Sequence, residues 1–258
     1  MGTTKSVICP PEQHLPLSAK YACLQLVSTV ASIHKGAAVR QVSINWAVGA
    51  NSAGETESCG VLISTGNSAA GLWERGLEEV EVVLADCPEE VLAKALAVYP
   101  LARVAIARSR VVHLAKSLSA SAAHRAVEIG FHRLRSAAAR TRADVLLDRL
   151  ANSLWVSLPA VAQVAKAAVE HWQPLYTLPH RRRDAVLRCE ARVEALQTGL
   201  DRVLCRRRPF ASEGEGAAFI EAWLERAVRV VGSRSGAVGP FPRFVVGQRL
   251  SFGGHPVA

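Results

Sequence analysis

Apolar residues change their spacing twice along the chain. The segment Tyr21-Ala22-Cys23-Leu24-Gln25-Leu26-Val27-Ser28-Thr29-Val30-Ala31-Ser32-Ile33 is dense in apolar and β-branched residues, a texture that favours a strand. His34-Lys35-Gly36 predicts a turn and residues 39–50 a second strand. Asn51-Ser52-Ala53-Gly54-Glu55 predicts another turn, and residues 58–64 a third strand. Together they predict an antiparallel meander. The period then becomes helical, with Asn67-Ser68 as the cap of a helix carrying Leu72, Trp73 and Leu77. A second apolar run, Val80-Glu81-Val82-Val83-Leu84-Ala85, ends on Asp86 and predicts a buried strand with one carboxylate at its C-terminal tip. Cys87-Pro88-Glu89-Glu90 opens a helix at once, because proline suits the first turn and acids suit the positive helix N-terminus. That helix carries Val91, Leu92, Ala95 and Leu96 at helical spacing and stops at Tyr99-Pro100. Residues 104–107 are a short apolar strand.

Beyond Arg110 no strand is predicted. Residues 113–170 are rich in Ala, Leu, Val and Arg with helical periodicity, broken at Trp172-Gln173-Pro174 and Leu178-Pro179. Further helices are predicted over 182–203 and 212–231, the second with Phe219, Ile220, Trp223, Leu224 and Val228 on one side. Residues 1–20 contain Pro10-Pro11 and Pro16 and read as irregular; residues 232–258, rich in Gly, Pro and Ser, read as a flexible tail.

The order β-β-β-α-β-α-β, with an acid after the fourth strand, is that of an α/β, ribonuclease-H-like core with a mixed sheet. It assigns residues 21–110 to the core, 111–178 to an all-helical insertion and 179–231 to C-terminal helices that complete the core. In open α/β sheets, ligands collect at the C-terminal ends of strands, which is where Asp86 sits. A lone acid there is equally well explained as a helix cap.

Composition narrows the partners. A formal net charge of +9 over 258 residues favours a polyanion, most simply nucleic acid, over a merely basic soluble protein. The densest cationic runs are Arg181-Arg182-Arg183 and Arg206-Arg207-Arg208, with Lys116, Arg133, Arg135, Arg140 and Arg142 between the core strands and those runs. Such residues neutralise phosphates without reading sequence; the alternative is a set of solvated helix faces. Trp155 and Trp172 could stack on bases, though core packing is the commoner use. No run is apolar and long enough to span a bilayer, and the N-terminus lacks the apolar core of a secretory signal. Met1-Gly2 with Ser6 fits a myristoylation pattern only formally. The six cysteines form no C-x-x-C pair, so no zinc site is signalled and a reducing, cytoplasmic setting is expected.

Several stretches, in order, resemble the mutator-type insertion-sequence transposases of bacteria. Ala47-Val48-Gly49-Ala50-Asn51-Ser52-Ala53-Gly54-Glu55 is similar to that family's "AIGVNxxGxxE" hairpin. Gly60-Val61-Leu62-Ile63 and Ser68-Ala69-Ala70-Gly71-Leu72-Trp73 resemble its "LGL…(S)A…FW". Val83-Leu84-Ala85-Asp86 with the following helix, and Val111-Val112-His113-Leu114-Ala115-Lys116-Ser117-Leu118, continue the match, the latter to "C-x-x-H-x-x-R-N-x-L". Trp172 with Leu178-Pro179 is similar to "W…FP". The resemblance covers roughly residues 15–230. It implies a triad of acids that holds two Mg²⁺ ions and carries out DNA cleavage and strand transfer. Asp86 matches the second acid, and Glu194, in Arg192-Val193-Glu194-Ala195-Leu196-Gln197, matches the third; Glu190, one turn earlier, competes for that role. His113 matches the motif histidine, but a lone histidine at such a junction is more often structural, and no ligand role is assigned to it.

The chain departs from the pattern at three points. The first acid falls at Val27, and no Asp or Glu lies between Glu12 and Glu55. The motif cysteine falls at Arg110 and the asparagine of the third motif at Ala191. The family's long N-terminal DNA-binding region is expected to be missing, since the sequence starts just before the first core strand. The expected function is that of a transposase with impaired catalysis, Mg²⁺ being its cofactor if it is active. The alternative is a non-catalytic DNA-binding or regulatory derivative, and a third possibility is an unrelated basic α/β protein. Expected partners are DNA and either a second copy of the chain or an intact transposase, with no membrane.

Overall fold

A computed structural model describes Leu17 and residues 19–36, 38–62, 76–153 and 155–232. The predicted helix capped at Asn67, nearly all of the irregular N-terminal segment and the tail beyond residue 232 lie outside the described residues.

The chain alternates short strands β1 (Lys20–Tyr21), β5 (Glu79–Val80) and β7 (Arg103–Ile106) with longer ones. These are β2 (Cys23–Lys35), β3 (Ala38–Ala50), β4 (Thr56–Leu62) and β6 (Val82–Asp86). Helix α1 (Glu89–Val98) lies between β6 and β7. After β7 come α2 (Arg108–Ser117), α3 (His124–Arg135), α4 (Arg140–Ala151), α5 (Pro159–His171) and the four-residue α6 (Gln173–Tyr176). The chain then forms α7 (His180–Leu204) and α8 (Glu213–Gly232).

The main sheet has five strands in the order β4-β3-β2-β6-β7. β2 and β3 form a long antiparallel hairpin, with the positive-φ Gly36 at its turn. β3 pairs antiparallel with β4, whereas β2, β6 and β7 run parallel, with α1 as the crossover between β6 and β7. A mixed α/β fold with a mixed sheet is therefore observed, as expected. The sequence reads one strand from Tyr21 and another from Val80. Each is in fact interrupted, at Ala22 and Glu81, and the first pieces pair with each other as a separate two-stranded ribbon. The outer half of the hairpin is steadied from its edge by Phe210, whose N–H donates to Ser32 O at 2.9 Å while its carbonyl accepts from His34 N at 2.8 Å.

Strand residues alternate between two cores, as the period of two requires. Leu24 and Leu26 join Ala47, Val83, Leu77, Ala95 and Tyr99 beneath α1. Cys23, Val27, Ala31 and Ile33 join Val82 and Leu84 and face Val186, Cys189 and Val193 of α7. This second core runs on into α3–α6 through Phe131, Trp155 and Trp172. Trp155 and Trp172 are 1% and 0% exposed, so they pack inside rather than offering faces for bases. The long helical stretch read from residue 113 is broken into separate helices, and the first begins earlier, at Arg108. No helix among the described residues is long and apolar enough to cross a membrane.

Candidate functional site

Asp86 ends β6, and its neighbour across the parallel ladder is Val27 of β2. Register partners project to the same face, here the one covered by α7. Val27 is fully buried in that core. The position that the sequence comparison gives to a first acid thus lies beside Asp86, and it carries an isopropyl group.

A cleft of about 580 Å³ opens at the tips of β6 and β7. Asp86, Arg108, Ser109, Arg110, His113 and Glu194 are among its lining residues. Asp86 and Glu194, 108 positions apart, are brought to one place by the short parallel strand β6 and the long helix α7. The start of α2 stands between them. Its N-cap is Ala107, which supplies no side-chain cap, and no acid lies in its first turn. Its first residues are held from outside instead. Ser109 Oγ donates to Asp86 Oδ2 at 2.6 Å, and Arg110 Nη1 donates to Cys87 O at 2.9 Å. Arg108 Nε donates to Glu194 Oε1 at 3.1 Å, and its Nη2 donates to Glu194 Oε2.

Glu190 plays a different part from Glu194, one turn away. It is 2% exposed and faces the core. Arg135 of α3 grips it with Nε and Nη2 at 2.9 and 3.0 Å, and the backbone N–H of Arg108 donates to its Oε1 at 2.6 Å. Arg135 also lies 5.0 Å from the ring of Trp172. Glu190 is thus a satisfied internal carboxylate and does not line the cleft. Burial pushes the carboxyls of Asp86 and Glu194 above their ordinary values. For Asp86 the Ser109 hydrogen bond and the charge of Arg110 offset this in part; for Glu194 Arg108 does.

The donor set does not fit a two-metal centre. Mg²⁺ demands about six oxygen ligands in near-ideal octahedral geometry. Val27 offers none, and both oxygens of Glu194 are engaged by a guanidinium. Among the described residues no group of three or more His, Cys, Asp or Glu side chains is arranged to hold a metal ion.

The cationic residues separate into free and engaged ones. Arg181, Arg206 and Arg208 are exposed. Arg182 is exposed and paired with Glu81 at 2.8 Å, and Lys116 is paired with Glu128. Arg207 lies over Phe210 and Phe219, at 4.6 and 4.2 Å from the ring centroids. Arg183 corrects the sequence reading: it is 6% exposed and donates to Ala138 O, so it faces the core and not a phosphate. Arg140, held by Asp144 and Glu170, is likewise engaged. Sequence reasoning missed Arg108. Its only signal was its place immediately after a strand that neighbours the strand of Asp86.

The model for the family described as "Transposase, Mutator family" matches residues 12–223. The chain belongs to that family. The match runs through the sheet, the cleft, Asp86 and Glu194, so the resemblance read from scattered motifs holds across most of this transposase-family chain. No curated protein matches it.

Proposed function

We propose that this chain is a DNA-binding member of the mutator transposase family whose cleavage and strand-transfer chemistry is impaired. The observation that supports the reading is the pairing of buried Val27 with Asp86, Val27 being the residue that the resemblance aligns with the family's first acid. In the two-metal reaction the ions activate the attacking oxygen and neutralise the leaving one, at a separation of about 3.5–4 Å. That chemistry needs hard oxygen donors, and two carboxylates, one of them paired with arginine, are too few. The strand order β4-β3-β2-β6-β7, with β3 antiparallel to both its neighbours and Asp86 at the tip of an interior strand, supports a ribonuclease-H-like core. In this reading residues 21–110 and 179–231 form that core and 111–178 a helical insertion.

DNA affinity comes from the exposed cations, with Arg181, Arg206 and Arg208 contributing most. Binding to duplex DNA in EDTA is expected to weaken steeply with salt, and the Arg206→Ala/Arg208→Ala double variant should lower the log–log salt slope by about 2. Nicking of terminal-repeat DNA with Mg²⁺ or Mn²⁺ is the companion measurement. Turnover that disappears in Asp86→Ala overturns the impaired reading; binding indifferent to salt overturns the DNA reading.

A further inference from the structure

We propose that the first turn of α2 is the resident cation of the cleft, taking the place of a divalent ion. The two acids that the family pattern assigns to metal, Asp86 and Glu194, and Glu190, the competitor one turn before Glu194, all hold this one turn. Glu194 accepts from the Arg108 guanidinium, Glu190 from the Arg108 backbone N–H, and Asp86 from the Ser109 hydroxyl. A helix N-terminus carries about half a positive charge, and this one has neither a capping side chain nor a first-turn acid of its own. Arg108 adds a full charge whose planar fork matches a carboxylate edge. Together they place roughly the charge of a cation between α7 and β6, delivered covalently and without the hydration shell that Mg²⁺ gives up reluctantly.

The arrangement explains why the acids remain although Val27 has removed the third ligand. Glu194 neutralises Arg108, which is 21% exposed at its side chain and would otherwise face the cleft uncompensated. Glu190 neutralises Arg135, 1% exposed at its side chain. These carboxylates are fixed by the arginines they serve. A divalent ion that takes Glu194 as a ligand has to break the two-pronged Arg108–Glu194 contact; of the other acids that line the cleft, Glu128 is already paired with Lys116.

The inference rests on reading the cleft as a former two-metal centre, and its test uses no DNA. Mn²⁺ is titrated into the full chain by calorimetry, with Asp86→Asn as the reference for each protein. The native chain should show no Asp86-dependent uptake. Arg108→Ala should take up one ion per chain that Asp86→Asn or Glu194→Gln abolishes, with an Asp86-dependent affinity at least tenfold above the native one. Arg108→Gln, which keeps most of the side-chain volume, covers the case in which the alanine variant fails to fold. Asp86-dependent uptake by the native chain overturns the inference, and so does silence in both Arg108 variants. A chain that behaves as expected with Mn²⁺ but does not bind DNA overturns the functional reading alone.

Discussion

The two faces of the main sheet are built differently. Beneath α1 the core is Leu24, Leu26, Ala47 and Val83 with a few neighbours, and among the described residues it contains no buried charge. Beneath α7 the same strands meet a larger core that holds all three buried charged side chains among the described residues, Arg135, Arg183 and Glu190. The first face needs only shape and apolarity. The second ties the helices after β7 to the sheet, and does so with charges because Asp86 opens on that side. The difference teaches that one sheet can carry a face held by apolar packing and another tied by carboxylate–arginine pairs.

The contrast is broken most directly at Glu190. Glu190→Gln leaves Arg135 buried without a counter-charge, and chemical denaturation should record a loss of about 3–5 kcal/mol. A loss below about 1 kcal/mol would mean that the pair is not the tie described. On the other face Leu26→Ala should cost about 2–4 kcal/mol through lost burial and a residual cavity, with no change in the pH dependence of stability.

A subtler test concerns Asp86. Its folded-state pKa is raised, chiefly by burial. Its contribution to stability is therefore fully present below the unfolded value, about pH 4, and is lost as pH rises through the higher folded one. The native chain should lose stability relative to Asp86→Asn as pH rises above about 4, read as the difference in urea midpoints. A difference that moves the other way, in favour of the native chain, refutes the assignment. The smallest effect lies in thiol labelling. Cys23, Cys59, Cys87 and Cys189 are buried and Cys205 is exposed. Burial pushes the Cys87 thiol up to about 11, so at neutral pH Cys205 should react first among the described cysteines, and Cys205→Ser should lower the fast-phase amplitude by one thiol per chain.

Much of this was legible in the sequence. An apolar run ending on an acid and followed by Pro-Glu-Glu placed β6, Asp86 and α1 within a residue or two, because local spacing alone decides those elements. The absence of any acid between Glu12 and Glu55 was equally visible. Glu194 lines the cleft together with Asp86. What escaped was the inward turn of charges on α7. Arg183, Val186, Glu190 and Val193 recur at steps of three and four, so both charged residues fall on the buried stripe. The helical period contained that message, but charge was weighed above position. Arg108 escaped for another reason: its role depends on two acids more than 80 residues away, and no local pattern encodes a contact of that range.

The carboxylate of Glu190 has one more consequence. It joins α7 to the end of α3 through Arg135 and to the first peptide of α2 through one N–H. Three helices thereby share a single acceptor, and none can detach while leaving the others satisfied. Hydrogen exchange at the Arg108 amide should report the same opening free energy as the buried amides of α7, so that the helices after β7 and the sheet melt as one cooperative unit.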